Sequence, residues 1–173
     1  MKDAGEFLLA DDHAEVDILL GDALRKLAGD NAADAFKALD LFWARLAMHI
    51  RAEHLHLFPA VVKISENAAR ISSDSNVPET LERLRRDHDF FMHELADAIK
   101  AMRAVTSPTE REIMHDTAAR LKIIRSRLAD HNAVEEKLVY PLQRFLSENE
   151  CEQLARSISK ELINLPPRFK TSD

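Results

Sequence analysis

Apolar residues along this chain recur at steps of three and four, the period of an α-helix that packs one face against other helices. Polar or proline-containing segments divide this pattern into stretches at about 6–28, 31–64, 78–105, 107–141 and 147–163. Long helices joined by short connections become antiparallel neighbours. The pattern therefore predicts an all-α fold: an antiparallel up-down-up-down four-helix bundle with a short C-terminal accessory helix. We expect the bundle over 1–146 and the accessory helix and tail, of the same domain, over 147–173.

Proline 59 falls inside the second stretch. Proline has no backbone N–H and its ring collides with the carbonyl four residues earlier. We therefore expect a kink or an interruption at Pro59, with helix resuming towards Ile64.

One segment of the chain occurs twice. Residues 45–59 read RLAMHIRAEHLHLFP, and residues 127–141 read RLADHNAVEEKLVYP. A weaker repeat, Leu-x-x-Asp-His, ends at His13 in the first stretch and at His88 in the third. The chain is therefore interpreted as two copies of one helical hairpin.

Polar residues occupy core-facing positions at matching depth in the four long stretches. Each stretch places one histidine there, and two stretches add a glutamate four residues later: His13, His49, Glu53, His88, His131 and Glu135. Burying such groups without compensation is costly. Imidazole and carboxylate are good ligands for iron, manganese or zinc, and two glutamates can bridge two ions. An oxo or hydroxo bridge, or an anion such as peroxide, would balance the remaining charge. The alternative is a buried network of His–Glu hydrogen bonds.

Two further polar residues lie near these positions. His56 is one turn from Glu53, so it is a candidate extra ligand or proton-handling partner of a ligand, with an ordinary core histidine favoured. Asp17 follows His13 by four residues and could approach the site, but Val16 fits the core-facing stripe better. A flanking surface or interhelix carboxylate is the favoured interpretation of Asp17.

Composition narrows the cellular setting. The formal net charge of −6 argues against nucleic-acid binding, which needs a basic surface. The single cysteine, Cys151, rules out an internal disulfide framework and suits a reducing compartment. There is no signal peptide pattern and no apolar run of the roughly 20 residues that span a bilayer. The expectation is a cytoplasmic protein without a membrane partner; another protein or further copies of this chain remain candidate partners.

The combined pattern resembles the hemerythrin-like, or HHE cation-binding, family. That pattern has a histidine on the first helix, H-x-x-x-E followed by L-F-P or Y-P on the second, a histidine on the third and H-x-x-x-E on the fourth. The resemblance covers about residues 6–146. It implies a helical bundle that holds two iron ions per chain, oxo- or hydroxo-bridged, on the six residues named above.

One departure refines the resemblance. Oxygen-carrying members place a histidine four residues after the third-helix ligand, where this chain has Met92, and a carboxylate five after the fourth-helix histidine, where it has Glu136. Glu135 fits the core-facing stripe better than Glu136. The chain therefore resembles the branch with four histidines and two glutamates, which is associated with iron–sulfur repair, nitric-oxide handling and iron or oxygen sensing.

Three functions follow as hypotheses. The first is a centre that binds or reacts with O2, NO or peroxide; binding and sensing would be non-enzymatic, whereas reduction would be oxidoreductase chemistry. The second is an iron-handling or regulatory module whose metal state controls partner binding, with the accessory helix as a contact surface. The third, least favoured, is a structural bundle loaded with zinc or manganese.

Overall fold

The computed structural model describes residues 9–69, 76–106, 110–139, 141 and 145–169. Its α-helices are α1 (Ala10–Leu27), α2 (Ala32–Ala52), α3 (Phe58–Ala69), α4 (Val77–Arg103), α5 (Glu110–Val134) and α6 (Glu148–Leu162). The described residues contain no strand, so the all-α prediction is confirmed. The predicted helix starts at residues 6 and 107 lie outside the described residues. None of the described helices has the length and apolar character needed to cross a membrane.

Four long helices form the bundle. Helix α1 packs against α2 and α5, and α4 packs against α5 and α2, so the order around the bundle is α1, α2, α4, α5. Helix α6 covers α2 on the outside, which confirms the accessory helix. Its start is the predicted capping box, in which Ser147 and Glu150 satisfy each other's backbone N–H groups. The division of the chain at residue 146 stays a prediction.

A π-helical turn precedes each repeated proline. One spans Glu53–Leu57 between α2 and α3, and the other spans Glu135–Val139 after α5. In the first, the Phe58 N–H donates to the Glu53 carbonyl, five residues back. The wider turn accommodates Pro59, which has no N–H to donate. The helix therefore continues past Pro59, and the expected interruption takes the form of a π turn.

Two apolar clusters fill the interior. The larger includes Leu20, Phe42 and Leu95, and the smaller includes Leu57 and residues of α6. On each bundle helix, the buried histidine, or the buried histidine and glutamate, lies between the residues of the larger cluster and the opposite end of the bundle. The polar side chains thus form a buried layer within an otherwise apolar interior.

Candidate metal centre

The structure brings the six predicted side chains together in this buried layer. Glu53 and Glu135 are fully enclosed, at 0 % exposure, and His13, the most exposed of the histidines, reaches 7 %. The π turns begin at the two glutamates, so the duplicated proline motif shapes the backbone at both carboxylates. Such turns are frequent at functional sites.

The side chains form two groups that share both glutamates. In each group the potential ligand atoms lie within 4.8 Å of one another. The first group contains His13 and His49, and the second contains His88 and His131. Each helical hairpin therefore supplies the histidines of one group, so the duplicated sequence corresponds to a pair of related positions.

Each glutamate presents one oxygen to each group. Glu53 Oε1 lies 2.9 Å from His49 Nε2, and its Oε2 lies 2.9 Å from His88 Nε2. Glu135 Oε2 lies 3.3 Å from His13 Nε2, and its Oε1 lies 3.8 Å from His131 Nε2. This is the arrangement that a carboxylate needs to bridge two cations.

The donor set fits a metal pair. All four oxygens of Glu53 and Glu135 are enclosed, and within the described part of the chain none has a partner with full hydrogen-bond geometry, although imidazole nitrogens approach them at 2.9–3.8 Å. A buried carboxylate without compensation is strongly unfavourable. The Nε2 atoms of His88 and His131 lie 3.0 Å apart. These two nitrogens are therefore close enough together to bind one ion.

The electrostatics favour positive charge between the carboxylates. Burial and the charge of Glu53 raise the pKa of Glu135 well above its usual value. Burial opposes the ionisation of Glu53, but the imidazoles of His49 and His88 outweigh it and hold its pKa well below the usual value. Burial likewise disfavours the charged form of His49, but Glu53 and Asp12 outweigh it and raise that pKa to about 10. Positive charge beside the pair therefore favours the ionised form of both carboxyl groups.

Asp12, on α1, orients His49, on α2. Asp12 Oδ2 lies 2.5 Å from His49 Nδ1, and Asp12 Oδ1 accepts from Arg45. Arg45 is itself buried and donates to the Leu162 carbonyl of α6 at 2.9 Å. A carboxylate on Nδ1 leaves Nε2 of the ring as the ligand atom, the usual support of a metal-binding histidine.

The second hairpin repeats this arrangement. Asp87 Oδ2 lies 3.4 Å from His131 Nδ1, and Asp87 Oδ1 accepts from Arg127 Nε at 2.7 Å. Arg127 differs from Arg45 in being 42 % exposed. The same Arg–Asp–His chain therefore exists in both halves, but its arginine is buried in one half and partly exposed in the other.

The sequence interpretation assigned no role to these aspartates and arginines. Their signal was present, because each arginine opens the repeated R-L-A-x-H segment and each aspartate precedes the histidine of the Leu-x-x-Asp-His repeat. The partners come from different helices, so only the packed bundle pairs Arg45 with Asp12 and Arg127 with Asp87.

The two additional candidates lie outside both groups. His56 Nε2 lies 3.9 Å from Glu161 Oε1 and so faces α6, because the π turn rotates the residues after Glu53 and buries Leu57 in its place. Asp17 is exposed and lies 3.6 Å from Arg125 across the α1–α5 surface.

Residues 5–142 match the family model described as the hemerythrin HHE cation binding domain. The chain belongs to this family, as its motifs indicated. Neither the curated proteins nor the solved structures give a significant match to the chain. The family and the buried His/Glu groups together indicate metal binding.

Proposed function

We propose that this protein holds two iron ions per chain on the six buried side chains and uses them to bind or react with O2, NO or peroxide. The observation that carries the proposal is the pair of glutamates, each of which offers one oxygen to each histidine pair. His13 and His49 would bind one ion, and His88 and His131 the other. Bound iron would supply electrons and open coordination positions to a small ligand.

Two phenylalanine rings pack against histidines of the site and shield it from water. The Phe58 ring stacks on His88 at 5.7 Å between centroids, and Phe91 meets His131 edge-on at 5.6 Å. These rings fix the imidazoles and exclude water from one side of the centre. Exclusion of water strengthens every charge interaction inside the site.

Metal analysis of gently purified protein tests the proposal. We expect about two iron ions per chain and an absorption band from an oxygen-bridged iron pair. His49→Ala and His131→Ala should each lower the metal content, whereas His93→Ala and His115→Ala, at exposed positions, serve as controls. Stoichiometric zinc that iron does not replace in the cell, or equal losses in all four variants, would contradict the assignment.

Exposure of the reduced protein to O2, NO or hydrogen peroxide separates the possible activities. A stable spectroscopic adduct with one equivalent of ligand supports carriage or sensing. Repeated consumption of NO or peroxide in the presence of an electron donor supports an oxidoreductase.

A second candidate function is a regulatory module whose metal state controls a partner. One contact favours it: Arg45 links the α6 backbone at Leu162 to Asp12 and, through it, to His49. Metal loading should then change amide hydrogen exchange in α6 as well as in the bundle. Identical exchange of α6 in loaded and metal-free protein would count against this candidate.

A cytoplasmic location of the protein stays a prediction.

A further inference from the structure

Each histidine of the centre has a second ring nitrogen that faces away from the carboxylate pair. Carboxylate oxygens approach Nδ1 of three of them: Asp12 lies 2.5 Å from His49, Asp87 3.4 Å from His131 and Glu136 3.6 Å from His13. The fourth, His88, differs in having an imidazole there. His54 Nε2 lies 2.8 Å from His88 Nδ1, and the ring centroids are 5.0 Å apart.

His54 and Glu136 occupy equivalent positions in the repeat. Each directly follows the shared glutamate of its own hairpin, at the second residue of the π turn. Each also approaches the Nδ1 atom of a histidine on another helix: His54 that of His88 on α4, and Glu136 that of His13 on α1. The two halves of the centre thus match in their candidate ligands and differ in these outer groups.

The direction of the His54–His88 hydrogen bond follows from the chemistry of the ligand. When Nε2 of His88 gives its lone pair to a cation, the ring hydrogen resides on Nδ1 and must be donated. His54 Nε2 then accepts, so the His54 hydrogen is on its own Nδ1 and the ring is neutral. A carboxylate in this position makes the imidazole a stronger electron-pair donor to the metal and adds negative charge near the cation. A neutral imidazole has a smaller effect on both.

We propose that His54 is a positioning residue that, acting through His88, makes the two metal positions inequivalent: the position of His88 and His131 binds its ion more weakly than that of His13 and His49. The inference rests on the proposed metal site but concerns a residue outside the ligand set. Substitution of a metal-supporting group outside the ligands changes affinity by about 10–100-fold, and this is the scale expected here.

The test is a Co2+ titration of the full-length chain, followed by the ligand-field absorption of Co2+ and by competition with a chelator. Repulsion between two cations separates the two binding steps in any dinuclear site, so the diagnostic quantity is the change caused by substitution. His54→Glu should tighten the weaker step by about tenfold. His54→Gln, which offers an uncharged acceptor, is the matched control and should leave both steps within about twofold of the original protein. Both substitutions fall at an exposed residue, and a thermal melt of each variant checks the fold.

Exchange of the side chains at positions 54 and 136, which keeps the net charge, is the most discriminating experiment. Glu136→His alone should weaken the tighter step, and the double exchange His54→Glu with Glu136→His keeps the net charge and should reverse the order of filling. Hyperfine-shifted imidazole signals in the NMR spectrum of protein with one Co2+ per chain report which pair is filled. Asp12→Asn, which perturbs the partner of His49, assigns these signals.

The outcomes are separable. Reversed filling in the double exchange supports the inference. Unchanged order, or a weaker step that His54→Glu leaves within about twofold of the original, overturns it while the metal site itself stands. A chain that binds neither Co2+ nor iron overturns the proposed function instead.

Discussion

The buried carboxylate of Asp12 offers the most informative substitution. It accepts from Arg45 on one oxygen and faces His49 Nδ1 with the other. Asp12→Asn keeps the size of the side chain but removes its charge and leaves one acceptor oxygen for two donors. Asp87→Asn makes the same chemical change between Arg127 and His131, so the two variants form a matched pair.

The two variants should weaken metal binding similarly. Loss of a hydrogen-bonded partner behind a metal-binding histidine lowers metal affinity by about 10–100-fold. This corresponds to about 1.4–2.7 kcal/mol of binding free energy. Each variant should affect the position whose histidine it supports, that of His49 for Asp12→Asn and that of His131 for Asp87→Asn.

Their effects on the free energy of unfolding of the metal-free chain should differ. The side chain of Arg45 is 9 % exposed, so Asp12→Asn leaves a buried cation with a weaker set of partners. A lost hydrogen bond to a buried charged group costs about 1.5–3 kcal/mol. The side chain of Arg127 is 42 % exposed and can turn to water, so Asp87→Asn should cost about 1 kcal/mol or less.

Urea unfolding of the metal-free proteins measures the change in the free energy of unfolding, and Co2+ competition with a chelator measures the change in metal affinity. Asp97→Asn, at an exposed position of α4, is the control for both and should change neither. Equal losses of stability in the two variants would refute the argument from burial. Unchanged Co2+ affinity in both would refute the orienting role of the aspartates.

Three further predictions concern protons and the repeated proline. Burial lowers the pKa of His13 and of His131 to about 4, so the unfolded chain binds two protons that the folded chain excludes as pH falls below about 6.5. The raised pKa of Glu135 favours proton uptake by the folded chain and partly offsets this difference. The two histidines alone correspond to about 2.7 kcal/mol per pH unit, so the metal-free protein should lose stability by less than about 2.7 kcal/mol per pH unit between about pH 6.5 and 4.5 in urea titrations; greater stability at pH 5 than at pH 6.5 would contradict these assignments. At pH 7.5, His49, with a pKa of about 10, holds a proton that ligation must displace, and the raised pKa of Glu135 acts in the same direction, so metal loading should release about one proton or more. Calorimetry in two buffers of different ionisation enthalpy counts them, and a release near zero would refute the prediction. Pro59→Ala restores a backbone N–H and should let the π turn relax to an α-helix, lowering metal affinity without unfolding the chain; affinity and hydrogen exchange equal to those of the original protein would show that proline does not maintain the turn.

The helical period and the two repeats were enough to predict the bundle and the six side chains at its centre. This worked because core-facing positions on a helix follow from local spacing, and because charged groups do not occupy such positions without compensation. The capping box at Ser147 was equally local, since it involves residues three apart in the sequence.

After the π turn, the spacing of residues in the sequence no longer predicts which side chains face the core. A strict α-helical period assigns His56 to the core, but the wider turn after Glu53 rotates the following residues and turns His56 towards α6. Pro59 predicted that the α-helix is interrupted. Whether the interruption is a kink, a break or a π turn depends on how the backbone hydrogen bonds are satisfied in the packed bundle.

Only the tertiary structure decided which groups meet across helices. The sequence by itself determined that four histidines and two glutamates face inward. It did not determine that each hairpin supplies one histidine pair, that both glutamates span the pairs, or that Asp12 and His54 stand behind ligands on other helices. These contacts join residues more than 30 positions apart. Their partners follow from the order and rotation of the helices, which the packing of the whole interior sets.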